Sequence, residues 1–211
     1  MSETQQQHCA GQGDHESHHE RHAGHGGGLG SMAASATLHC LTGCAIGEIL
    51  GLIIGTAAGL GSGAAIVLSI ALAFLFGYTL SSLPLLRGGL TLGAALQLVL
   101  AADTVSILTM EVVDNLVMAL IPGAMEAGLV NVVFWVGMMI ALTVAFFAAY
   151  PVNRALLKRG KGHALSHAHH AADAPTGARR FIPALSSGLL VAIIVSFMLG
   201  GLLVSTAASL Q

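Results

Sequence analysis

Five long apolar stretches constrain what this chain can fold into more than any other feature of its sequence. They cover residues 38–60, 64–84, 90–121, 131–152 and 181–206. A helix needs about 20 apolar residues to cross the hydrocarbon core of a bilayer, and each stretch reaches or approaches that length. Charged residues make up only 9% of the chain, against about a quarter in soluble domains. The sequence therefore predicts an all-α fold, a polytopic integral membrane bundle of about five transmembrane helices.

The basic residues predict how these helices cross the membrane. Six of the eight Lys and Arg residues lie in the connection before the last span, within loop 153–180. Because Lys and Arg concentrate in cytoplasmic loops, we expect this loop and the N-terminus on the cytoplasmic side of the inner (plasma) membrane. We assign residues 1–36 to a disordered His- and Gly-rich cytoplasmic tail and residues 37–211 to the membrane domain. The expected partner is the lipid bilayer, and so few basic residues argue against nucleic acid.

Glycine recurs at every fourth position of the first span. The ladder consists of Gly43, Gly47, Gly51, Gly55 and Gly59. Glycines in this spacing leave a groove along one face of a helix, where a second helix backbone can approach closely. We expect this face to pack against another span of the same chain or against a second copy in a homo-oligomer.

A neighbouring stripe of the first span carries Cys40, Cys44 and Glu48, with His39 beside it. Two thiolates and an imidazole are soft ligands that suit Cu(I) or Zn, and a carboxylate can complete such a site. These four residues are the predicted metal site. The alternative is structural, since cysteine also packs as a small apolar residue inside membrane helices.

The third span carries a polar stripe in an otherwise apolar helix. Asp103 and Asp114 lie within about 40° of each other around the helix, if each residue advances by about 100°. The stripe, a predicted polar transmembrane pathway, consists of Asp103, Met110, Glu111, Asp114, Asn115 and Met118. The predicted spans contain no Lys or Arg that could neutralise the acids of this stripe. The acids therefore indicate a site or pathway for protons or cations. The alternative is that they hydrogen-bond to other helices and hold the bundle together.

Two questions about this region stay open from sequence. The stretch 90–121 exceeds the length of an untilted crossing, so the helix tilts, projects beyond the bilayer, or breaks near Asp103 or Glu111. Methionine at helical spacing is more often core filling than a metal ligand, and this applies to Met110 and Met118.

A cluster of histidines lies in the cytoplasmic loop. Its members are His163, His167, His169 and His170. Neutral imidazoles close together bind transition metals with little selectivity, so this cluster is a predicted accessory site for metal capture. The alternative is a solvated loop.

Three segments resemble a bacterial family of small polytopic membrane proteins catalogued as a domain of unknown function, number 4396. They are HCLTGCAIGE, SILTMEVVDNLVMALIPGAMEAGLVNVVFW and AYPVNRALLKRGKGHA. The resemblance covers about residues 37–170. The resemblance implies an integral membrane fold, but it does not imply any particular activity, substrate or cofactor.

Three functions follow from these features. The first is a transition-metal binding or transport protein, with copper favoured, that uses the cytoplasmic-end site on the first span and the acidic stripe on the third. The second is an accessory or scaffold subunit that pairs through the glycine face. The third is a membrane-embedded metal-dependent enzyme, which is less expected because no HExxH or GxSxG motif is present.

Overall fold

The protein folds as a bundle of five long α-helices. The structure is a computed structural model, and it describes residues 28–159, 177 and 181–210. The helices are α1 (Leu29–Ala57), α2 (Ser62–Arg87), α3 (Leu92–Leu120), α4 (Val132–Lys158) and α5 (Ser187–Ser209). Each is long and apolar enough to span a membrane, and the described residues contain no β-strand. The predicted all-α architecture with five membrane-spanning helices is confirmed.

The helices differ from the predicted spans mainly at their ends. α1 begins at Leu29, well before residue 38, so the last part of the predicted tail is helical. This segment is rich in Ala, which has only moderate hydropathy but the highest helix propensity. α3 runs without a break from Leu92 to Leu120, so the long third span is one continuous helix. At about 1.5 Å per residue it is longer than a hydrocarbon core of about 30 Å, and it must tilt or project.

Polar caps set the starts of the last three helices. The side chains of Thr91, Asn131 and Ser186 accept hydrogen bonds from backbone N–H groups in the first turns of α3, α4 and α5. These bonds satisfy donors that the first helical turn leaves without a carbonyl partner. Short connections join α1 to α2 and α2 to α3, so neighbouring helices run in opposite directions. As a result α1 and α3 point the same way.

The closest helix pair is α1 and α2. Four glycines of the ladder face α2, namely Gly43, Gly47, Gly51 and Gly55. A Cβ atom at Gly43 would lie 2.4 Å from the backbone of Gly77, and one at Gly47 would lie 2.2 Å from the backbone N of Ala73. Real Cβ atoms do not approach backbone so closely, so the contact exists only because these positions lack side chains. The groove on α1 is filled by α2 of the same chain.

Gly59 takes no part in this contact. It follows the end of α1 with a φ of +64°, and nothing lies within 4 Å of where its Cβ would be. Leu60 N donates to the Gly55 carbonyl oxygen at 2.8 Å and closes the turn. Gly59 therefore allows the chain to reverse its direction between α1 and α2, because a positive φ is easily adopted only by glycine.

The remaining helices surround α1 on its other sides. α1 packs against α3, α4 and α5 as well as α2, and it is the most buried of the five. α5 has few buried side chains and is attached to α4 mainly through Trp135, whose ring lies against Gly201 and forms an edge contact with Phe197. The outward side of α3 is apolar and exposed, as expected for a surface that faces lipid.

We predict that Gly47→Ala destabilises the protein and that Gly200→Ala does not. The added methyl group at position 47 meets the α2 backbone, and overpacking of this kind costs about 1–3 kcal/mol. For a chain of this size that corresponds to a fall in melting temperature of roughly 3–10 °C, measurable by thermal unfolding in detergent.

Gly200 is the matched control for this experiment. It also lies inside a helix, but nothing is within 4 Å of a Cβ added there. Alanine at that position should leave stability unchanged or raise it slightly, since alanine favours the helix. Equal melting temperatures for the two variants would contradict the close α1–α2 packing.

Candidate functional site

The thiol and acid stripe of α1 faces the centre of the bundle. Cys40, Cys44 and Glu48 are each buried, with exposed fractions of 0%, 2% and 8%. They are spaced one helical turn apart, so they form a single line along α1. Both cysteines are free thiols. The residue spacing in the sequence places this stripe beside the glycine face. Because the glycine face packs against α2, the stripe is left to face the other helices.

The acidic stripe of α3 faces the same interior. Asp103, Glu111 and Asp114 have exposed fractions of 2%, 2% and 4%. Apolar residues such as Leu108 and Val112 occupy the opposite, exposed side of α3. The acids of α3 are therefore directed into the protein and away from lipid.

The two stripes meet along the contact between α1 and α3. Cys40 neighbours Asp103 and two serine hydroxyls, those of Ser106 on α3 and Ser81 on α2. Its Sγ lies 4.0 Å from Ser81 Oγ. One turn further along, Cys44 neighbours Glu111.

At the end of the contact between α1 and α3, all of the facing side chains are acids. Glu48 neighbours the carboxyl groups of Asp114 and Glu111. Because α1 and α3 point the same way, the facing residues follow the same order on both helices. The resulting line of facing residues, here called the seam, consists of Cys40, Cys44, Glu48, Asp103, Glu111 and Asp114.

Several oxygen atoms of the seam are buried without a hydrogen-bond donor. Among the described residues, no donor of standard geometry serves either carboxyl oxygen of Glu48 or Glu111, or Oδ1 of Asp114. An isolated charge in the middle of a membrane costs about 2.5–3.5 kcal/mol even on the most lenient scale. Three acids in one place therefore need protons or a bound cation.

The helices supply no basic side chain to this group. Lys and Arg occur in the described helices only near their ends, at Arg87, Arg154 and Lys158. Arg87 is engaged elsewhere, since its Nη1 donates to the Ile182 carbonyl oxygen at 2.8 Å. The described helices therefore place no Lys or Arg in the middle of the seam, and the buried imidazole of His39 in α1 is next to Cys40 in sequence.

A pocket of about 420 Å³ opens next to the acidic end of the seam. Glu48 and Asp114 are part of its lining, together with Asn115 and Met118 of α3. Its other walls come from the end of α1, the start of α2, segment 124–128 and the start of α4. Two buried acids of the seam therefore adjoin a space large enough for solvent or a ligand.

His39, the fourth member of the predicted metal site, makes a hydrogen bond within α1. Its Nδ1 donates to the Ser35 carbonyl oxygen at 2.8 Å, a bond within the same helix. In the described part of the chain, no three His, Cys, Asp or Glu side chains are arranged to hold a metal ion. The predicted set of His39, Cys40, Cys44 and Glu48 stays a prediction.

The other predicted residues fall into three groups. Met110 and Met118 are buried in the apolar core, as methionines usually are. Asn115 Nδ2 donates to the Glu111 carbonyl oxygen at 2.9 Å. The histidine cluster lies outside the described residues and comprises His163, His167, His169 and His170.

Sequence reasoning missed three polar residues near the seam. Ser81 and Ser106 contact Cys40 from two helices, and Glu126 lines the pocket from the connection between α3 and α4. Serine is common in membrane helices, so the two serines gave no signal. Glu126 could have been noticed as the single charged residue of that connection.

A known family matches the larger part of this chain. A family model described as "Domain of unknown function (DUF4396)" matches residues 31–162. The chain belongs to this family. The match includes all of the seam and the four glycines that contact α2, so these features lie within the family's domain. No curated protein and no solved structure matches the chain.

We predict that Glu48→Gln leaves the protein as stable as the wild type or makes it more stable. The amide keeps the size of the side chain and adds N–H donors that can bond to the carboxyl group of Asp114. Thermal unfolding in detergent at neutral pH should show a melting temperature that is unchanged or higher by a few degrees, about 2–4 °C per kcal/mol.

Glu126→Gln serves as the control, because Glu126 is exposed and lies outside the helices. Its melting temperature should stay at the wild-type value. A clear loss of stability in Glu48→Gln alone would show that this acid holds the bundle together, and would support the structural alternative.

Proposed function

We propose that this protein binds a small cation inside the membrane and moves it across along the seam. The observation that carries the proposal is the group of Glu48, Glu111 and Asp114, whose buried oxygens lack donors among the described residues and adjoin a pocket. In the described helices no backbone N–H and no Lys or Arg side chain donates to these oxygens with standard geometry, and the acids face one another instead. Acids that take up and release a cation are instead left available to it.

The seam contains more than one position at which such a cation could bind. Thiol and carboxyl groups follow one another from Asp103 and Cys40 to Cys44 and Glu111, and then to Glu48 and Asp114. Adjacent members of α1 are about 6 Å apart along the helix axis, since four residues rise about 1.5 Å each. A cation can pass between neighbours at this spacing through small side-chain movements.

Within this class we favour a transition metal as cargo, with copper first and zinc second. The supporting observation is that each of the two buried thiols has a carboxyl neighbour, which gives Cu(I) a soft ligand at two levels of the seam. Because no three ligands converge in the described residues, metal binding requires the seam side chains to move together. A proton is the alternative cargo, since carboxyl and thiol groups can both carry one.

Two other functions receive less support. A scaffold that recruits a partner through the glycine face conflicts with the filling of that face by α2. A metal-dependent enzyme needs a metal centre together with a general base, and the described residues hold no group of three potential metal ligands.

We predict that Cys40→Ala combined with Cys44→Ala removes about one equivalent of Cu(I) from the full-length protein. The metal would be titrated in detergent against a chromophoric Cu(I) chelator, so that weak sites on histidines of the tail do not compete. Cys9→Ala is the matched control because it removes a thiol from the N-terminal tail only. Equal stoichiometry in all three proteins would exclude Cu(I) binding at the seam.

We predict that Glu48→Gln combined with Asp114→Asn lowers cation uptake at least tenfold in proteoliposomes. The two changes remove the two buried carboxyl groups of the pocket lining while preserving side-chain size. Uptake would be followed with an enclosed Cu(I) probe and, in separate vesicles, with an enclosed pH dye, which distinguishes the two cargoes.

The control for uptake is Gln97→Leu, which removes a polar side chain from the exposed side of α3. It should transport like the wild type. Wild-type vesicles in which neither dye responds above protein-free vesicles would contradict the proposed function.

A further inference from the structure

The pocket lies at one particular end of the bundle. Its walls include Thr56 at the end of α1, Ser62 at the start of α2 and segment 124–128 after α3. These elements lie at the opposite end from Arg87, Arg154 and Lys158, which close α2 and α4. If the basic end is cytoplasmic, as the positive-inside rule predicts, the pocket opens to the outer face.

The lining is acidic and contains no compensating base. Its charged residues are Glu48, Asp114 and Glu126, and none of the residues around it is Lys, Arg or His. Glu48 and Asp114 form the buried part of this set, with exposed fractions of 8% and 4%. Both acids line the pocket, and both oxygens of Glu48 and Oδ1 of Asp114 are buried without a hydrogen bond of standard geometry among the described residues. Glu126 is more exposed and lies on the connection at the mouth.

At the opposite end of the seam, the residues are packed differently from those that line the pocket. Cys40 is fully buried, Asp103 is 2% exposed, and neither residue lines the pocket. Beyond them, Asn153 Nδ2 donates to Thr37 Oγ1 at 2.8 Å and joins α4 to α1. Both residues of this pair are buried, and Ala33 and Ala149 are buried on the same two helices. Tight small-residue packing and a satisfied polar pair occupy this end.

We propose that the pocket is a cation vestibule through which the seam is reached from one side only, the face opposite the basic residues. Glu48 and Asp114 are its inner ligands, and Glu126 attracts cations at its mouth. The proposal rests on the proposed function and adds the side of access and the residues that select for positive charge. The pocket volume corresponds to on the order of ten water molecules, so a small cation can enter with water around it.

One-sided access has a consequence for transport. A cation that reaches Glu48 and Asp114 can continue only along the seam toward Cys44 and Cys40. To leave at the basic end, it requires a second conformation in which the Thr37–Asn153 pair separates. The structure thus corresponds to the state that is open toward the pocket.

The test measures the charge preference of a thiol placed in the pocket. Asn115→Cys is the reporter, because Asn115 lines the pocket and is partly exposed. Val130→Cys is the matched control, since it lies in the connection at the same end of the bundle, is 75% exposed and does not line the pocket. Both are made in full-length protein carrying Cys9→Ser, and the same protein without a reporter gives the background from the buried cysteines.

Two membrane-impermeant thiol reagents are compared in sealed vesicles of known orientation. One is a cationic methanethiosulfonate with a trimethylammonium group, and the other is an anionic methanethiosulfonate with a sulfonate group. Three nearby carboxylates favour the cation over the anion, so we expect the cationic-to-anionic rate ratio at Asn115→Cys to exceed that at Val130→Cys by roughly tenfold. Changing Glu126 to Gln should lower this excess, and changing Glu48 to Gln with Asp114 to Asn should abolish it.

Sidedness is read from the same reagents. Asn115→Cys and Val130→Cys should react from one face of the membrane, and Lys158→Cys, at the basic end, should react only from the other. Equal charge ratios at the reporter and the control would overturn the vestibule, as would labelling of Asn115→Cys from the basic side. A charge-selective, one-sided vestibule in a protein that moves neither copper nor protons would instead leave the vestibule standing and refute the proposed function.

Discussion

The close approach of α1 to α2 determines where the other three helices can pack. Gly43 and Gly47 bring the α1 backbone against Gly77 and Ala73, at distances that leave no room for a side chain. With one face of α1 committed to α2, its remaining faces are left for α3, α4 and α5. In a membrane, where lipid is as apolar as the side chains, such dense backbone contact is a principal source of helix association. α1 becomes the central helix for this reason.

The seam is a consequence of that arrangement. Cys40, Cys44 and Glu48 stand on the face next to the glycines, and this face turns toward α3 once the glycines are filled. The parallel direction of α1 and α3 keeps the facing residues in the same order on both helices, and each residue of the α1 stripe has an acid of α3 as a neighbour. A helix on an antiparallel course would have met the same residues in the reverse order. The two stripes have no contact in sequence and become one feature only through the fold.

The sequence predicts the helices well because each one is a long apolar run that must satisfy its backbone within itself. It also indicates which face of α3 turns inward, since Asp103 and Asp114 could not face lipid. The start of α1 was harder to place, because Ala-rich segments such as residues 29–36 are good helix formers with modest hydropathy. Gly59 fits the four-residue spacing by coincidence, and only its positive φ identifies it as a turn residue. The pocket could not be predicted, because Glu48, Asp114 and Glu126 come from three separate segments that only the tertiary fold brings together.

Several polar groups outside the seam have hydrogen-bond partners within the fold. Tyr78 and Thr104 hydrogen-bond across α2 and α3 at 2.9 Å, and Trp135 Nε1 donates to the Leu129 carbonyl oxygen at 2.7 Å. Threonines inside the helices return their hydroxyl groups to a carbonyl one turn earlier, as Thr42 does to Leu38.

The carboxyl groups of Glu48 and Glu111 differ from these, because in the described part of the chain no backbone N–H or hydroxyl group donates to them with standard geometry, and their polar neighbours include the carboxyl group of Asp114 and the thiol of Cys44. The fold satisfies many of its hydroxyl groups and the Trp135 indole, although Ser106 Oγ, beside the Cys40 thiol, is also buried without a hydrogen bond of standard geometry among the described residues. Leaving these acids without donors costs stability, and that cost is explained if the missing partner is a cation that comes and goes.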